Sequence, residues 1–298
     1  MTEPFIRESG SGPTVVCMHA SASSSTQWRA LSEALSDRFR VVAVDLYGCG
    51  RTAAWPQQRP LRLDDEVALL EPVWRSAGPR FHIVGHSYGG AVALKAALTH
   101  GKRVASLTVY EPVLFGVLAE REPNGAAAAE IAAVRDDTRR LIAINDLEAA
   151  AGRFGSYWLG HDAWAALDPV RRAAMAVAMP SVMPQWQAAF ADAISLQDFG
   201  QLSLPVQLLN GADSTLAARA VLRWIGSTLP QGLTQELPGC GHLGPVTMPE
   251  RVNPVIEQFL VRHSHLGNGT GVRPAAPRAG LAHLPAGRDG TASIGGRA

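Results

Sequence analysis

Apolar residues along this chain fall into short β-branched runs that alternate with longer stretches of helical spacing. Strands are predicted at residues 14–18, 40–44, 104–110, 205–211 and 233–237, and at the apolar run that begins at Phe81. Helices are predicted at residues 26–39, 64–77, 89–100, 216–229 and 249–262. Because strands and helices alternate, the predicted fold class is α/β, with a mostly parallel central sheet, right-handed crossovers and flanking helices.

The alternation stops over residues 115–199, which are alanine-rich and helical in pattern. This segment is predicted to be a helical cap, or lid, inserted into a core domain formed by residues 1–114 and 200–265. Over residues 266–298, glycine, proline, alanine and arginine dominate and large apolar residues are scarce. Such a composition cannot bury enough apolar surface to fold, so a disordered C-terminal tail is predicted there.

Composition and charge narrow the class of protein. The 298 residues are 47% hydrophobic, which is enough for a substantial core. The net charge is +1, with 27 basic and 26 acidic residues and no long charged run, so neither nucleic-acid binding nor a polybasic membrane surface is expected. The first residues contain neither a signal-peptide pattern nor an apolar stretch that could cross a bilayer, which predicts a cytoplasmic protein.

The number and spacing of the cysteines argue against a disulfide-linked or metal-binding fold. Cys17, Cys49 and Cys240 are isolated, without C-x-x-C spacing and without paired histidines. Neither a disulfide framework nor a zinc site is therefore supported. No metal and no organic cofactor is expected.

The motif that carries chemistry is Gly-His-Ser-Tyr-Gly over residues 85–89, which joins an apolar strand to an alanine-rich helix. This pattern is typical of a nucleophile elbow, a sharp strand-to-helix turn that exposes the serine side chain. Gly85 and Gly89 are the small neighbours that let the backbone pass closely. Ser87 is therefore the candidate nucleophile, while His86 stands at a strand end and is expected to make structural hydrogen bonds.

A serine hydroxyl is a weak nucleophile near neutral pH, so Ser87 needs a histidine base and an acid that orients it. His242, in a glycine-rich loop after the last predicted strand, is the candidate base. An oxyanion hole also needs two backbone N–H groups, one of them from the residue after the nucleophile, here Tyr88. Ser21, in a small-residue loop after the first predicted strand, is the candidate for the second, with Ala20 as the alternative.

Together these residues resemble the α/β-hydrolase superfamily over essentially the whole chain before the predicted tail. The segments that carry the resemblance are residues 19–21, 45–51, 85–90 and 241–242. Residues 19–29 are similar to the oxyanion loop of the haloalkane dehalogenase branch, with Ala20 where glycine is more usual. In that branch the nucleophile is an aspartate. Serine at position 87 therefore favours acyl chemistry, because an alkyl ether on serine could not be released by hydrolysis as an ester is.

The resemblance leaves two candidates for the acid. The superfamily usually places it in a Gly-x-x-Asp turn after the strand that follows the cap, where this chain has Asp213 one position early and Ser214 at the expected place. The alternative position is the end of the strand after the nucleophile helix. Glu111 lies there among apolar residues, similar to the acid-bearing strand end of some dehalogenase-like members. Glu111 is preferred, and Asp213 stays open.

The expected function is that of a serine hydrolase cleaving carboxylic esters of small to medium apolar or aromatic substrates through an acyl-enzyme on Ser87. Its expected partners are the small-molecule ester and water. A lactonase or a C–C bond hydrolase of the same fold, and a non-catalytic ligand-binding member, stay open as alternatives. Apolar side chains of the predicted lid are expected to line the pocket. The candidates, each of which is more readily explained singly by packing within the cap, are Phe115, Leu118, Trp158, Trp164, Met179, Met183 and Trp186.

Overall fold

One seven-stranded sheet organises the computed structural model, which describes residues 2–191 and 194–264. Its strands are β1 (Ile6–Ser9), β2 (Thr14–Met18), β3 (Arg40–Val44), β4 (Phe81–His86), β5 (Val104–Tyr110), β6 (Val206–Gly211) and β7 (Gly232–Leu237). The spatial order is β1-β3-β2-β4-β5-β6-β7, with β1 antiparallel to β3 and all other neighbours parallel. The predicted fold class is therefore confirmed. The predicted tail at residues 266–298 lies outside the described residues.

The edge strand β1 escapes the sequence pattern. Its residues read Ile-Arg-Glu-Ser, the first three are exposed, and the strand has no apolar run for a pattern analysis to detect. It pairs with β3 at the margin of the sheet, where a strand has only one neighbour and a solvated edge.

Helices follow most of the strands. They are α1 (Arg29–Leu35), α2 (Leu63–Leu69), α3 (Glu71–Ser76), α4 (Tyr88–His100), α5 (Gly116–Arg121), α6 (Ala126–Ala143), α7 (Leu147–Leu159), α8 (His161–Ala165), α9 (Pro169–Ala191), α10 (Leu196–Phe199), α11 (Leu216–Gly226), α12 (Gly244–Thr247) and α13 (Pro249–Ser264). The helix predicted at residues 64–77 is two helices, because Pro72 lies in the first turn of α3 and has no N–H with which to continue α2. The helix predicted at residues 26–39 begins as a 3-10 turn and its α-helical part ends at Leu35.

Alternate residues of the central strands enter two different apolar layers. Val16 and Ile83 pack in the layer that contains α2 and α4, whereas Val15 and Val84 pack in the layer that contains α1 and α13. With both faces covered, the carboxyl ends of the parallel strands form the edge where polar side chains can meet. Residues following β4, β5 and β7 are thereby brought to one place.

The chain between β5 and β6 contains α5 to α10. Its interior is an aromatic cluster in which the Phe154 and Trp186 ring centroids are 5.5 Å apart and those of Phe115 and Phe190 are 5.0 Å apart. The division of the chain into a core at residues 1–114 and 200–265 and a cap at 115–199 stays a prediction. Within the described residues, none of the helices combines the length and the apolar character needed to span a membrane.

Candidate active site

Ser87 stands on a strained turn between β4 and α4. Its φ of 54° and ψ of −117° place it in a region that non-glycine residues rarely adopt, at a cost on the order of 1–3 kcal/mol. Backbone bonds hold the turn: the Ser87 N–H donates to the carbonyl of Tyr110 at 2.9 Å, and the Ser87 carbonyl accepts from the N–H groups of Ala91 and Val113 at 3.1 and 3.2 Å. The strain is therefore fixed by the surrounding fold, and it presents the hydroxyl at the end of the sheet.

The two glycines of the motif are required by close backbone approach. A Cβ at Gly85 would overlap the carbonyl of Gly89, and a Cβ at Gly89 would overlap the carbonyls of Met18 and His19. The Gly89 N–H also donates to the His19 carbonyl at 3.1 Å. The first turn of α4 is consequently pressed against the ends of β2 and β4, which brings the positive N-terminal end of the helix beside Ser87.

Ser87, His242 and Glu111 form a continuous hydrogen-bonded line. The distance from Ser87 Oγ to His242 Nε2 is 2.9 Å, and that from His242 Nδ1 to Glu111 Oε2 is 2.6 Å. Because a carboxylate can only accept, His242 holds its proton on Nδ1 and offers Nε2 as the acceptor for the serine proton. All three residues are at most 5% exposed. The arrangement has the geometry of a nucleophile, a base and an orienting acid.

Glu111 is held at the end of β5 by its own set of bonds. Its φ is +45°, its Oε1 accepts from the Gly211 N–H at 2.8 Å, and its Oε2 accepts from the Ser214 hydroxyl at 2.5 Å as well as from His242. The buried carboxylate therefore has three donors, one of them from the neighbouring strand β6. These three hydrogen bonds replace the water that a carboxylate with no exposed surface has lost.

Asp213 does not reach His242. It is exposed, its N–H donates to the Cys240 carbonyl at 2.9 Å, and its carboxylate makes no hydrogen bond or ion pair with the part of the chain that the structure describes. Ser214, at the usual place of the acid, supports Glu111 instead. The structure thus brings Glu111 and not Asp213 to the base, and the catalytic role of Glu111 stays a prediction.

Ala20 and Ser21 differ in what their N–H groups can do. The Ala20 N–H donates to Oε1 of Gln27 at 3.0 Å, so it is committed within the loop. The Ala20 carbonyl lies 2.7 Å from Nδ1 of His19, whose Nε2 accepts from the Leu46 N–H at 3.1 Å. His19 therefore carries its proton on Nδ1 and donates it to that carbonyl, while burial lowers the pKa of His19 and keeps the ring neutral.

The two hydrogen bonds of the His19 ring hold the Ala20 carbonyl and thereby orient the peptide plane between residues 20 and 21. In a trans peptide the N–H points opposite to the carbonyl, so fixing the Ala20 carbonyl also fixes the direction of the Ser21 N–H. The Ala20 N–H is thus already bonded, and the oxyanion role of the Ser21 N–H stays a prediction. The Ser21 hydroxyl is buried and has no hydrogen-bond partner among residues 2–191 and 194–264. Ser21 and Ser87 line the same cavity.

A cavity of about 130 Å³ lies beside Ser87 and His242. The helical segment supplies much of its apolar wall, through Phe154, Gly155, Trp158, Leu159, Met175 and Trp186. The Trp158 ring is stacked on the His242 ring, with centroids 3.9 Å apart and planes inclined by 27°. None of the described residues that line it is a lysine, arginine, aspartate or glutamate. The cavity therefore suits a small uncharged group.

Of the candidate lid residues, Trp158 and Trp186 line the cavity, and the other five do not. Phe115, Leu118 and Met179 are buried in the apolar core, Trp164 packs against Gly155, and Met183 lines a different groove of about 740 Å³. Trp186 lines that groove as well as the cavity. Phe154 and Met175 were missed, because helical spacing alone does not tell which face of an amphipathic helix meets a ligand and which meets a neighbouring helix.

Tyr88 links the elbow to a buried carboxyl. Its hydroxyl donates to Oε1 of Glu66 at 3.1 Å, and the Tyr47 N–H donates to Oε2 at 3.2 Å. Burial raises the pKa of Glu66 to about 7, since its two neutral donors offset only part of the desolvation of the charged form. Among the residues that the structure describes, no cluster of three or more histidine, cysteine, aspartate or glutamate side chains is placed to hold a metal ion.

An α/β sheet with a serine elbow, a histidine and an acid at the carboxyl ends of its strands defines a class of hydrolases. Comparison with known proteins agrees: residues 15–255 match the model of the alpha/beta hydrolase family, so the chain belongs to that family.

Relatives and solved structures are similar over most of their length. The pimeloyl-[acyl-carrier protein] methyl ester esterase of Nitrosomonas europaea is 26% identical over 260 residues, which cover 84% of this chain and 97% of the relative. The protein of the same name from Aromatoleum aromaticum is 29% identical over 267 residues, covering 83% and 98%. A thermophilic esterase from Thermogutta terrifontis superposes with a TM-score of 0.68 at 24% identity, covering 88% of this chain and 94% of that one. The last likeness concerns the fold.

Proposed function

We propose that this protein is a serine hydrolase that cleaves carboxylic esters through an acyl-enzyme on Ser87. The observation that carries the proposal is the hydrogen-bonded line from Ser87 Oγ through His242 to Glu111, with distances of 2.9 and 2.6 Å, at the wall of an apolar cavity. The relatives named as methyl ester esterases support the same bond type.

Acylation starts when Ser87 Oγ attacks the ester carbonyl and its proton passes to His242 Nε2. The carbonyl electrons move to the oxygen, which the N–H groups of Ser21 and Tyr88 stabilise as an oxyanion. Glu111 stabilises the imidazolium through its bond to Nδ1. When the tetrahedral intermediate collapses, the bond to the alkoxy group breaks and His242 returns the proton to the leaving alcohol.

Deacylation repeats the same steps with water. His242 removes a proton from a water molecule as its oxygen attacks the acyl carbonyl, and the Ser87 ester bond then breaks with the proton returned to Oγ. The products are a carboxylic acid and an alcohol. The Trp158 ring on His242 shields this proton transfer from bulk water on one face.

The cavity also limits the substrate. Its volume of about 130 Å³ is below the roughly 300–1,000 Å³ of sites for drug-sized ligands, so one small acyl or alkyl group fits beside Ser87. The lining by Phe154, Trp158, Met175 and Trp186 favours an apolar or aromatic group, and the lack of a charged side chain among the described lining residues disfavours an ionised one.

Labelling and turnover test this proposal together. Wild-type protein should react with a fluorophosphonate probe and hydrolyse p-nitrophenyl acetate and butyrate faster than octanoate. Ser87→Ala should abolish labelling and lower kcat by about 10⁵-fold or more, because the nucleophile and its base act as a unit. A wild-type chain that neither labels nor turns over any member of the ester series would contradict the proposal and favour a ligand-binding protein.

A further inference from the structure

We infer that Gln27 and His86 form a bridge that positions the general base relative to the oxyanion loop, an inference that rests on the proposed function. The bridge is a chain of three hydrogen bonds. The Ala20 N–H donates to Gln27 Oε1 at 3.0 Å, Gln27 Nε2 lies 3.1 Å from His86 Nδ1, and His86 Nε2 lies 2.8 Å from the carbonyl of His242. Its two ends are backbone atoms of the two loops that must cooperate in the reaction.

The direction of every bond in the bridge is fixed by its ends. The His242 carbonyl can only accept, so His86 must carry a proton on Nε2. The Ala20 N–H can only donate, so Gln27 must present its oxygen to Ala20 and its amide nitrogen to His86. Nδ1 of His86 is then an acceptor without a proton. The two independent constraints agree on one orientation of the amide and one tautomer of the ring.

The surroundings of His86 support this neutral form. The side chain is fully buried, and burial lowers its pKa well below the ordinary value. The groups that face it are the rings of Tyr110 and His242, with centroids at 5.5 and 5.3 Å, and the nearby neutral His19. The described surroundings thus place no carboxylate in contact with His86 to favour an imidazolium, and the bridge needs only one ring proton.

The bridge couples the general base to the oxyanion loop, because its two ends are the Ala20 N–H and the His242 carbonyl. Ala20 precedes Ser21, whose N–H is the candidate oxyanion donor, and the His242 carbonyl belongs to the residue whose ring receives the serine proton. Because three hydrogen bonds connect the two loops, a displacement of one loop should displace the other. Ser87 follows His86 directly, so the central ring of the bridge is also anchored to the elbow.

The first test observes the tautomer without any substrate. In protein labelled with 15N-histidine, the ring nitrogen shifts of His86, identified by their loss in His86→Gln, should show a protonated Nε2 and an unprotonated Nδ1 from about pH 5 to pH 9. A proton on Nδ1, or an imidazolium within that range, would overturn the bridge. This result does not depend on turnover, so it is separate from any failure of the proposed function.

The second test removes the bridge. Gln27→Leu keeps the approximate side-chain volume and loses both bonds, so kcat for p-nitrophenyl acetate should fall about 10- to 100-fold with KM changed little, since a misplaced base and oxyanion donor act in the transition state. Gln185→Leu is the control for the loss of a glutamine amide. Gln185 is buried on α9, its amide contacts Cys49 Sγ at 3.2 Å, and unlike Gln27 it does not line the cavity. Wild-type kcat in Gln27→Leu at equal Tm would overturn the inference.

The third test replaces the ring of His86. His86→Gln can still donate to the His242 carbonyl and accept from Gln27, so it should retain more activity toward p-nitrophenyl acetate than His86→Leu, which can do neither. Equal kcat in the two variants at equal Tm would overturn the bridge.

Discussion

The strand ends and the helical segment between β5 and β6 contribute to the site in different ways. At the strand ends, buried polar atoms of Ser87, His242 and Glu111 are joined by bonds of 2.9 Å or less, and two of these residues have positive φ. The helical segment faces the cavity with apolar side chains such as Trp158 and Trp186. Its ion pairs lie near the surface, as does that of Arg140 with Asp137 at 2.7 Å, whose side chains are 71% and 39% exposed.

This difference suggests that the strand ends carry out the chemistry and that the helical segment sets substrate selectivity. Directional bonds between buried groups fix atoms to within a fraction of an ångström, and loss of one partner leaves another unsatisfied. Apolar packing is less directional, so a change of side chain in the helical wall alters the shape of the cavity without changing the proton path. Substitutions in the two regions should therefore differ in which kinetic quantity they change.

The largest expected effect distinguishes the two candidate acids. Glu111→Gln keeps the volume but cannot stabilise the His242 imidazolium, and its amide can place an N–H against Nδ1 and so select the wrong tautomer. A fall in kcat of about 10³- to 10⁴-fold is expected. Asp213→Asn, which changes an exposed carboxylate in the next turn, should keep kcat within about twofold. The two kcat values are compared by steady-state kinetics with p-nitrophenyl acetate. A larger fall of kcat in Asp213→Asn than in Glu111→Gln would assign the acid to Asp213.

Local chain geometry explains which parts of the site could be predicted from the sequence. The elbow at Ser87 can be predicted from the five consecutive residues 85–89, because close backbone approach requires glycine at Gly85 and Gly89. The pattern favours Glu111 as the acid but keeps Asp213 open, since a shift of one residue in a turn decides which carboxylate faces inward. The mostly parallel sheet followed from alternating apolar runs, but β1 did not, because its pairing with β3 rather than its own residues makes it a strand.

Long-range contacts mark where prediction from sequence ends. The contact of Gln27 with His86 joins positions 59 residues apart, and the contact of His86 with the His242 carbonyl joins positions 156 apart. Nothing in the pattern near Gln27 distinguishes it from an ordinary loop glutamine. Similarly, the cavity wall depends on which face of α7 and α9 turns toward Ser87, and that is decided by packing between helices.

The next effect concerns the helical wall. Trp186 lines both the cavity and the larger groove of about 740 Å³, so Trp186→Ala should join the two spaces. The ratio of kcat/KM for p-nitrophenyl octanoate to that for acetate should rise by about 30- to 100-fold, since each buried methylene gains contact, while kcat for acetate changes little. Trp186→Phe should be intermediate. An equal loss for all chain lengths would mean that the wall supports the catalytic groups and does not set selectivity.

The smallest expected effect is on stability and comes from Glu66, the buried carboxyl that contacts the Tyr88 side chain next to the elbow. Burial raises the pKa of Glu66 from its ordinary value of 4.5 to about 7, so the folded protein holds a proton on this carboxyl at pH values where the unfolded chain has lost it. The contribution to the free energy of unfolding is thus full below about pH 4.5 and is lost as pH rises through about 7. Between about pH 5 and pH 8 the loss should be on the order of 2–3 kcal/mol.

Glu66→Gln isolates this contribution, because the amide oxygen can accept from the Tyr47 N–H and the amide nitrogen can donate to the Tyr88 hydroxyl oxygen, with no titrating proton. Urea unfolding of wild type and variant at about pH 5 and about pH 8 should show a gap in stability that widens in favour of the variant at the higher pH. Activity toward p-nitrophenyl acetate should stay within about threefold at each pH, since Glu66 touches the tyrosine side chain and not the Tyr88 N–H. A pH-independent stability gap would place the Glu66 pKa outside this range, whereas a parallel loss of activity would show that the buried carboxyl also fixes the first turn of α4.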